Sequence, residues 1–261
     1  MKKARIDAVL AERGLFPSRS AAAGAVRAGE VRVGADGPVA LRPSQLVEPG
    51  AAFVVDSGPR YVSRGGIKLE NALEELGVDV SGRDCLDVGA STGGFTDCLL
   101  QRGATRVAAV DVAYGQLDLS LREDPRVAVV ERLNARALEP ADLPFEPSLA
   151  VVDVSFISLA KVLPAVTRCL APGGEVLAMV KPQFELGRAR VGRGVVRDAA
   201  DRREAILAVA CAARDLGLPV RGFASSQLPG PKGNRETFVH CGGGEAIDDL
   251  EAAILVAEPD R

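Results

Sequence analysis

The sequence predicts an α/β protein: a mostly parallel sheet with helices on both faces, preceded by a small α+β domain. Three observations carry this. Residues 87–95, Asp-Val-Gly-Ala-Ser-Thr-Gly-Gly-Phe, sit between a short apolar run and a helical one, as a strand–loop–helix corner does. From residue 84 onward, strand-like and helical stretches alternate, which is the rhythm of a parallel sheet. The first 60 residues differ, with two short helices, a small sheet and a local excess of positive charge.

In the N-terminal part, Ile6, Val9 and Leu10 recur at helical spacing and Gly14 stops the run. Pro17-Ser18 offers an N-cap for a second helix, Arg19 to Ala28, stopped by Gly29. Val31-Arg32-Val33 alternates as a strand and is followed by a turn at Gly34 to Gly37. Pro43 to Gly50 reads as loop and Ala51 to Val55 as strand. Residues 1–32 carry seven basic side chains against three acidic ones, although the chain as a whole has a net charge of −3. A helix pair displaying Arg5, Arg19 and Arg27, with Lys2 and Lys3 ahead of it, can track phosphates without reading sequence. Its bland counterpart is a solvated basic surface.

Ser57-Gly58-Pro59 reads as linker, placing one domain at 1–59, a connection at 60–64 and a second domain at 65–261. Ser63 to Gly66 leads into a helix, Ile67 to Leu76, ended by Gly77. Strands follow at 84–88, 106–111, 127–130, 149–154 and 175–181, a helix at 201–216, and a closing pair at 219–225 and 236–241.

The 87–95 loop brings Gly89, Gly93 and Gly94 together at a helix start, where backbone N–H groups are free for a ligand. Asp111 ends the next strand about 20 residues on, where a nucleotide-binding unit places an acid for ribose hydroxyls. The glycine spacing is not that of a dinucleotide fingerprint, and no Gly-Lys-Ser/Thr is present for phosphates. With Asp87 opening it and Ser91, Thr92 and Phe95 within it, the loop resembles the first motif of S-adenosylmethionine-dependent methyltransferases. That resemblance implies a Rossmann-like class I methyltransferase fold, with an antiparallel closing strand. Asn134, just after the third strand, is a candidate for the adenine side.

Several strands finish on a polar residue at one edge: Asp87, Asp111, Asp153 and Lys181. In an open parallel sheet that edge holds the ligand. Two of them, Asp153 and Lys181, together with Lys68, at the first turn of the entering helix, and Glu236, resemble the Lys-Asp-Lys-Glu tetrad of FtsJ-like ribose 2′-O-methyltransferases. A ribose hydroxyl is a poor nucleophile and needs a base or a cationic partner held in place. The resemblance implies that Lys181 plays this part, with Asp153 and Glu236 orienting it and Lys68 positioning the ribose or tuning Lys181.

The N-terminal segment resembles an S4 RNA-binding domain through Arg5-Ile6-Asp7, Gly14-Leu15, Ser18-Arg19, Ala28-Gly29 and Val31-Arg32-Val33. Taken whole, the chain resembles the TlyA, or hemolysin-A-like, family of bacterial ribosomal RNA methyltransferases. The stretches that carry this are Ser63 to Leu69, Asp87 to Thr96, Tyr114 to Leu117, Asp153 to Leu159 and Lys181 to Glu185. The implied activity is methylation of cytidine 2′-hydroxyls in ribosomal RNA, with S-adenosylmethionine as cofactor and ribosomal subunits as partners. Arg64 joins the RNA-binding candidates. Arg188, Arg190, Arg193 and Arg197, in a glycine-bearing loop, form a further basic segment that could close on RNA.

Five scattered cysteines without C-x-x-C spacing point to reduced thiols in the cytoplasm and away from zinc. A single histidine, His240, leaves no histidine-based metal site or triad. No apolar run is long enough to span a bilayer, so a membrane partner is not expected, and a monomer is. Two other classes compete with the enzyme: a non-catalytic RNA-binding assembly factor and a membrane-active hemolysin-like protein. An intact tetrad argues against the first, and the lack of an amphipathic or spanning segment against the second.

Overall fold

The computed structural model describes residues 3–16, 18–35, 37–40, 42–55, 60–192, 194–230 and 232–260. Ala28, Arg188 and Ala189 are described by backbone alone. Among the expectations above, Lys2, Arg193, Pro17 and the linker residues 57–59 lie outside the described residues. The chain forms two compact units, Met1–Arg64 and Gly65–Arg261.

In the first unit, β1 (Ala4–Arg5) runs into α1 (Ile6–Glu12), then α2 (Arg19–Ala28), β2 (Val31–Val33), β3 (Leu46–Val47) and β4 (Phe53–Val55). The Ser18 hydroxyl accepts from the Ala21 N–H at 3.1 Å to cap α2, and Gly29 closes it at φ 80°. Ile6, Val9 and Leu10 meet Ala22, Ala25 and Val26 in a small core. β1 pairs with β3, and β2 with β4, both antiparallel. The β1–β3 pair stands where the sequence predicts helix lead-in and loop. Two-residue strands show no alternation and exist only through their distant partner.

The second unit opens with α3 (Arg64–Leu76), which starts three residues before the sequence suggests and takes in Gly65 and Gly66. Gly66 is buried, so tertiary packing offsets the poor helix propensity of the two glycines. Lys68 therefore lies in the second turn of the helix, not the first. Next come β5 (Asp84–Val88), α4 (Gly94–Gln101), β6 (Arg106–Asp111), α5 (Leu119–Arg122), β7 (Val127–Glu131), β8 (Leu149–Val152), α6 (Leu163–Arg168) and β9 (Glu175–Val180). The chain ends with α7 (Pro182–Glu185), α8 (Arg188–Val191), α9 (Ala199–Asp215), β10 (Val220–Ser225), β11 (Thr237–Gly242) and α10 (Leu250–Ala257).

The seven strands order as β10-β11-β9-β8-β5-β6-β7. β9, β8, β5, β6 and β7 are parallel, and β11 runs antiparallel between β9 and β10, as expected of the closing strand. β8 is buried along its whole length, the mark of a strand covered on both faces. Alternation in β5 separates those faces. Leu86 and Val88 pack into the core shared with α6, α9 and α10, while Asp87 between them meets Thr96 of α4. α10, missed in the sequence, buries Leu250, Ile254 and Ala257 and is capped by Asp249. β8 and β9 stop two and one residues short of the expected ends, which leaves Asp153 and Lys181 as the first residues beyond them.

At the opposite end of β9, Glu175 gathers Arg83 and Arg221 at 2.9 Å each and the buried His240 at 2.7 Å. Burial holds His240 below the usual histidine range, so it sits in this cluster as a neutral, structural group.

Candidate active site at the carboxyl edge of the sheet

From β5 the chain moves outward through β6 and β7, then returns to place β8 on the other side of β5. This reversal opens a crevice beyond the carboxyl ends of β5 and β8, where ligands bind in open α/β sheets. Gly89 and the first residue past β8, Asp153, form its floor. The Asp153 N–H donates to the Val88 carbonyl at 2.9 Å, and Gly89 turns at φ 90°. A Cβ on Gly89 would stand 2.5 Å from the Asp153 carbonyl oxygen. The glycine is needed so that two chain segments can touch, which in turn sets where Asp153 lies.

Beyond Gly89 the loop is held by Asp111. The Ser91 N–H donates to its Oδ2 at 2.7 Å and the Ala113 N–H to its Oδ1 at 2.8 Å. Ser91 is left-handed at φ 50°, a conformation its own side chain disfavours and this bond fixes. Ser91 and Thr92 are exposed on the loop. Gly93, at φ 96°, lies under Leu117 and Leu121, whose side chains fill the space of a Cβ. Gly94 and Phe95 begin α4, and Phe95 is buried against Phe238 at 5.9 Å between centroids. The space beside Gly93 and the Phe95 side chain are thus taken up by packing. No side chain caps the start of α4.

Asp87 is fully buried. Thr96 Oγ1 donates to its Oδ2 at 2.7 Å, while Oδ1 has no hydrogen-bond partner among the described residues. Burial pushes this carboxyl up to about 7, against the hydrogen bonds from Thr96 that favour its charge. A buried, half-paired acid is an expensive feature that a cationic ligand group would relieve. Asn134 lies at the same edge, just past β7; its Oδ1 caps the turn Ala135–Ala137 through the Arg136 N–H at 3.0 Å, which leaves its amide hydrogens as donors.

The four residues Lys68, Asp153, Lys181 and Glu236 form two ion pairs. Lys181 Nζ lies 2.5 Å from Asp153 Oδ1 and donates to Ser155 Oγ at 2.9 Å. Lys68 pairs with Glu236, whose side chain is only 2% exposed. Thr237 faces Val180 in the β9–β11 ladder, so Glu236 and Lys181 leave the same end of neighbouring strands. The expected orientation of Lys181 by both acids is therefore corrected: Asp153 holds Lys181, and Glu236 holds Lys68. Glu236 is confined by Gly230, where a Cβ would stand 2.5 Å from its Oε1.

Sequence reasoning missed Ser155 and Phe156. Phe156 adopts φ 64° and exposes 90% of its surface, with its ring 5.0 Å from that of Phe184. A left-handed, exposed phenylalanine beside an ionised pair is strained in a way that packing does not repay. In the sequence it lies within the Asp153 to Leu159 stretch, where no local pattern marks it as exposed. The basic segment after β9 is partly a structural one, because Arg190 is bound by Asp201 and Glu204 of α9.

In the first unit, Asp7 collects two of the expected RNA-contacting side chains. Arg5 donates to it at 3.0 and 2.7 Å, and Arg19 lies at 3.5 Å. The Arg5 hydrogen bonds hold the Asp7 carboxyl below its ordinary range despite burial. Both arginines remain about half exposed, at 49% and 60% of their side chains, and Lys3 and Arg27 are exposed. Arg64 is the first residue of α3. No helix among the described residues is long and apolar enough to cross a membrane, and no cluster of metal-ligating side chains is found among them.

Comparison with known proteins gives two family matches, an FtsJ-like methyltransferase over residues 61–243 and an S4 domain over residues 4–52. The chain is 50% identical over 241 residues to the 16S/23S rRNA (cytidine-2'-O)-methyltransferase TlyA of Mycobacterium tuberculosis, covering 91% of this chain and 89% of that one. It is 43% identical to YqxC of Bacillus subtilis, over 92% of this chain and 85% of the other. A solved Streptococcus thermophilus protein carrying the name hemolysin superposes with a TM-score of 0.74 at 39% identity, over 100% of this chain and 97% of that one.

Proposed function

Because the chain belongs to the TlyA family of FtsJ-like methyltransferases, we propose that it methylates ribose 2′-hydroxyls, those of cytidine, in ribosomal RNA. The methyl donor is S-adenosylmethionine, whose sulfonium supplies an electrophilic methyl group. The observation that carries the reading is the pair of lysine–carboxylate contacts, Lys181–Asp153 and Lys68–Glu236, beside the Gly89 crevice.

Each residue has a part that its contacts permit. Asp111 keeps lone pairs free for the cofactor ribose after binding Ser91 and Ala113. Asp87, with Oδ1 unpaired, suits the ammonium end, and the Asn134 amide suits an adenine edge. Lys181, as an ammonium, has three donors; one goes to Ser155 Oγ, Asp153 balances its charge as an ion pair, and a donor is left for the 2′-oxygen. It acts there as cationic hydrogen-bond partner, or, as the neutral amine, as the base that takes the 2′-hydroxyl proton. Lys68, anchored by Glu236, places a second positive charge at the same edge. Phe156 offers a flat, exposed ring on which the base of a splayed-out nucleotide can stack. Arg5, Arg19, Arg27 and Lys3, with Arg64, meet RNA phosphates and supply affinity rather than sequence choice. The division into RNA-docking residues 1–59, a connection at 60–64 and a catalytic part at 65–261 belongs to the same reading.

The test uses ribosomal subunits from cells lacking this protein, incubated with it and radiolabelled S-adenosylmethionine. Label that resists alkali at one cytidine linkage is the expected result and names the subunit. No label on either subunit, from protein shown to bind the cofactor, sinks the ribosomal reading.

A pH dependence follows from Asp87. Its raised folded value means that the unliganded protein is favoured at low pH and loses that stability as pH rises through about 7. A cofactor ammonium pairs with the ionised form alone, so binding below about 7 releases a proton and affinity increases with pH until it levels off above about 7. Calorimetric titration at several pH values should show this trend in the wild type and lose it in Asp87→Asn. An affinity independent of pH in the wild type would remove Asp87 from the ammonium site.

A further inference from the structure

Three successive contacts join the chain leaving β8 to the chain leaving β9. Nearest the strands is Lys181–Asp153, next the Phe156–Phe184 ring contact, and last Glu185. Glu185 Oε2 accepts from the Ser158 hydroxyl at 2.6 Å, and Oε1 accepts from the Leu159 N–H at 2.9 Å. Both carboxylate oxygens are thereby spent on the other segment, at the start of the 3-10 turn Leu159–Lys161. Glu185 is partly buried, and burial raises its pKa, so the contact is kept at some cost in desolvation.

The first of these contacts cannot hold the two segments together throughout a reaction. If Lys181 takes the proton of the 2′-hydroxyl, its charge and so its attraction to Asp153 change at that moment. The Glu185 contact involves no reacting atom and does not change. We propose that Glu185 is a positioning residue: by clamping Ser158 and Leu159 it fixes the spacing of the β8 and β9 exits, and so keeps Asp153, Lys181 and the Phe156–Phe184 pair aligned during methyl transfer. The proposal rests on the reading that Lys181 acts at the 2′-oxygen.

The experiment compares full-length Glu185→Ala, Glu185→Gln, Ser158→Ala and Lys181→Ala on undermethylated subunits, measuring kcat, KM for the subunit and the cofactor Kd. A misplacement of about 1 Å in a reacting group can cost about 10²-fold in rate, so Glu185→Ala should lose about 10- to 100-fold in kcat with KM and Kd unchanged. Glu185→Gln should recover most of it, because its amide oxygen can take the Leu159 N–H and its NH2 can meet Ser158 Oγ. Wild-type kcat in Glu185→Ala, or equal losses in the alanine and glutamine variants, would overturn the clamp. Should Glu185→Ala fail to fold, Ser158→Ala decides: a selective fall in kcat supports the clamp and an unchanged kcat overturns it. An active Lys181→Ala would instead sink the functional reading beneath it.

Discussion

Replacing Lys181 with alanine is expected to lower methyl transfer by about 10²- to 10⁴-fold, the usual worth of a positioned acid, base or activating group, while the protein stays folded and binds its cofactor. Lys181 and Asp153 are partly open to solvent, at 12% and 25% of their side chains, and Asp153 can be hydrated once its partner is gone. Lys68 is different. Its removal strands Glu236, 2% exposed, as a buried unpaired carboxylate. Breaking a buried pair from one side costs about 3–5 kcal/mol, so Lys68→Ala should show a lowered Tm as well as lost activity. Thermal melts alongside the methylation assay separate the two lysines. Lys181→Arg then separates base from cationic partner. A guanidinium keeps its proton but can still donate to a developing oxyanion. Partial rescue means Lys181 stabilises charge; none, with intact cofactor binding, means that it takes the proton. Full activity in Lys181→Ala would remove the tetrad from the chemistry.

These two lysines show what was legible in the sequence and what was not. Residue types at strand ends are local facts, so Asp87, Asp111, Asp153 and Lys181 could be placed on one edge from alternation and apolar runs alone. Which acid holds which lysine depends on the register of β11 against β9, with Thr237 opposite Val180, and no local pattern encodes it. The 87–95 loop was found for its glycines, but two of them are explained differently by the structure. Gly93 makes room for Leu117 and Leu121, and Gly89 makes room for the Asp153 carbonyl, both distant in the chain. β1 and β3 were invisible because each is two residues long. Phe156 was hidden for another reason: hydropathy places phenylalanine inside, and only the fold reveals one that is 90% exposed and left-handed.

Gly89 provides the second large effect. Gly89→Ala meets two penalties at once: a left-handed φ of 90°, and a Cβ 2.5 Å from the Asp153 oxygen and 2.9 Å from its carbonyl carbon. The first costs about 1–3 kcal/mol of stability. The second cannot be relieved by rotating a side chain, since the obstacle is backbone. Asp153 must move, and with it the carboxylate that holds Lys181. Methyl transfer should then fall by about 10²-fold, the penalty for a shift of about 1 Å in a reacting group. Gly103 isolates this second effect. It has nearly the same φ, 88°, but its nearest would-be contact is Ser81 Oγ at an ordinary 3.5 Å. Gly103→Ala should lose stability of the same order in urea unfolding while keeping its kcat. Equal kcat in the two variants would mean that contact between the Gly89 turn and Asp153 does not set the catalytic geometry. A selective loss in Gly89→Ala would make this contact beyond the ends of β5 and β8 the point at which the fold positions its chemistry.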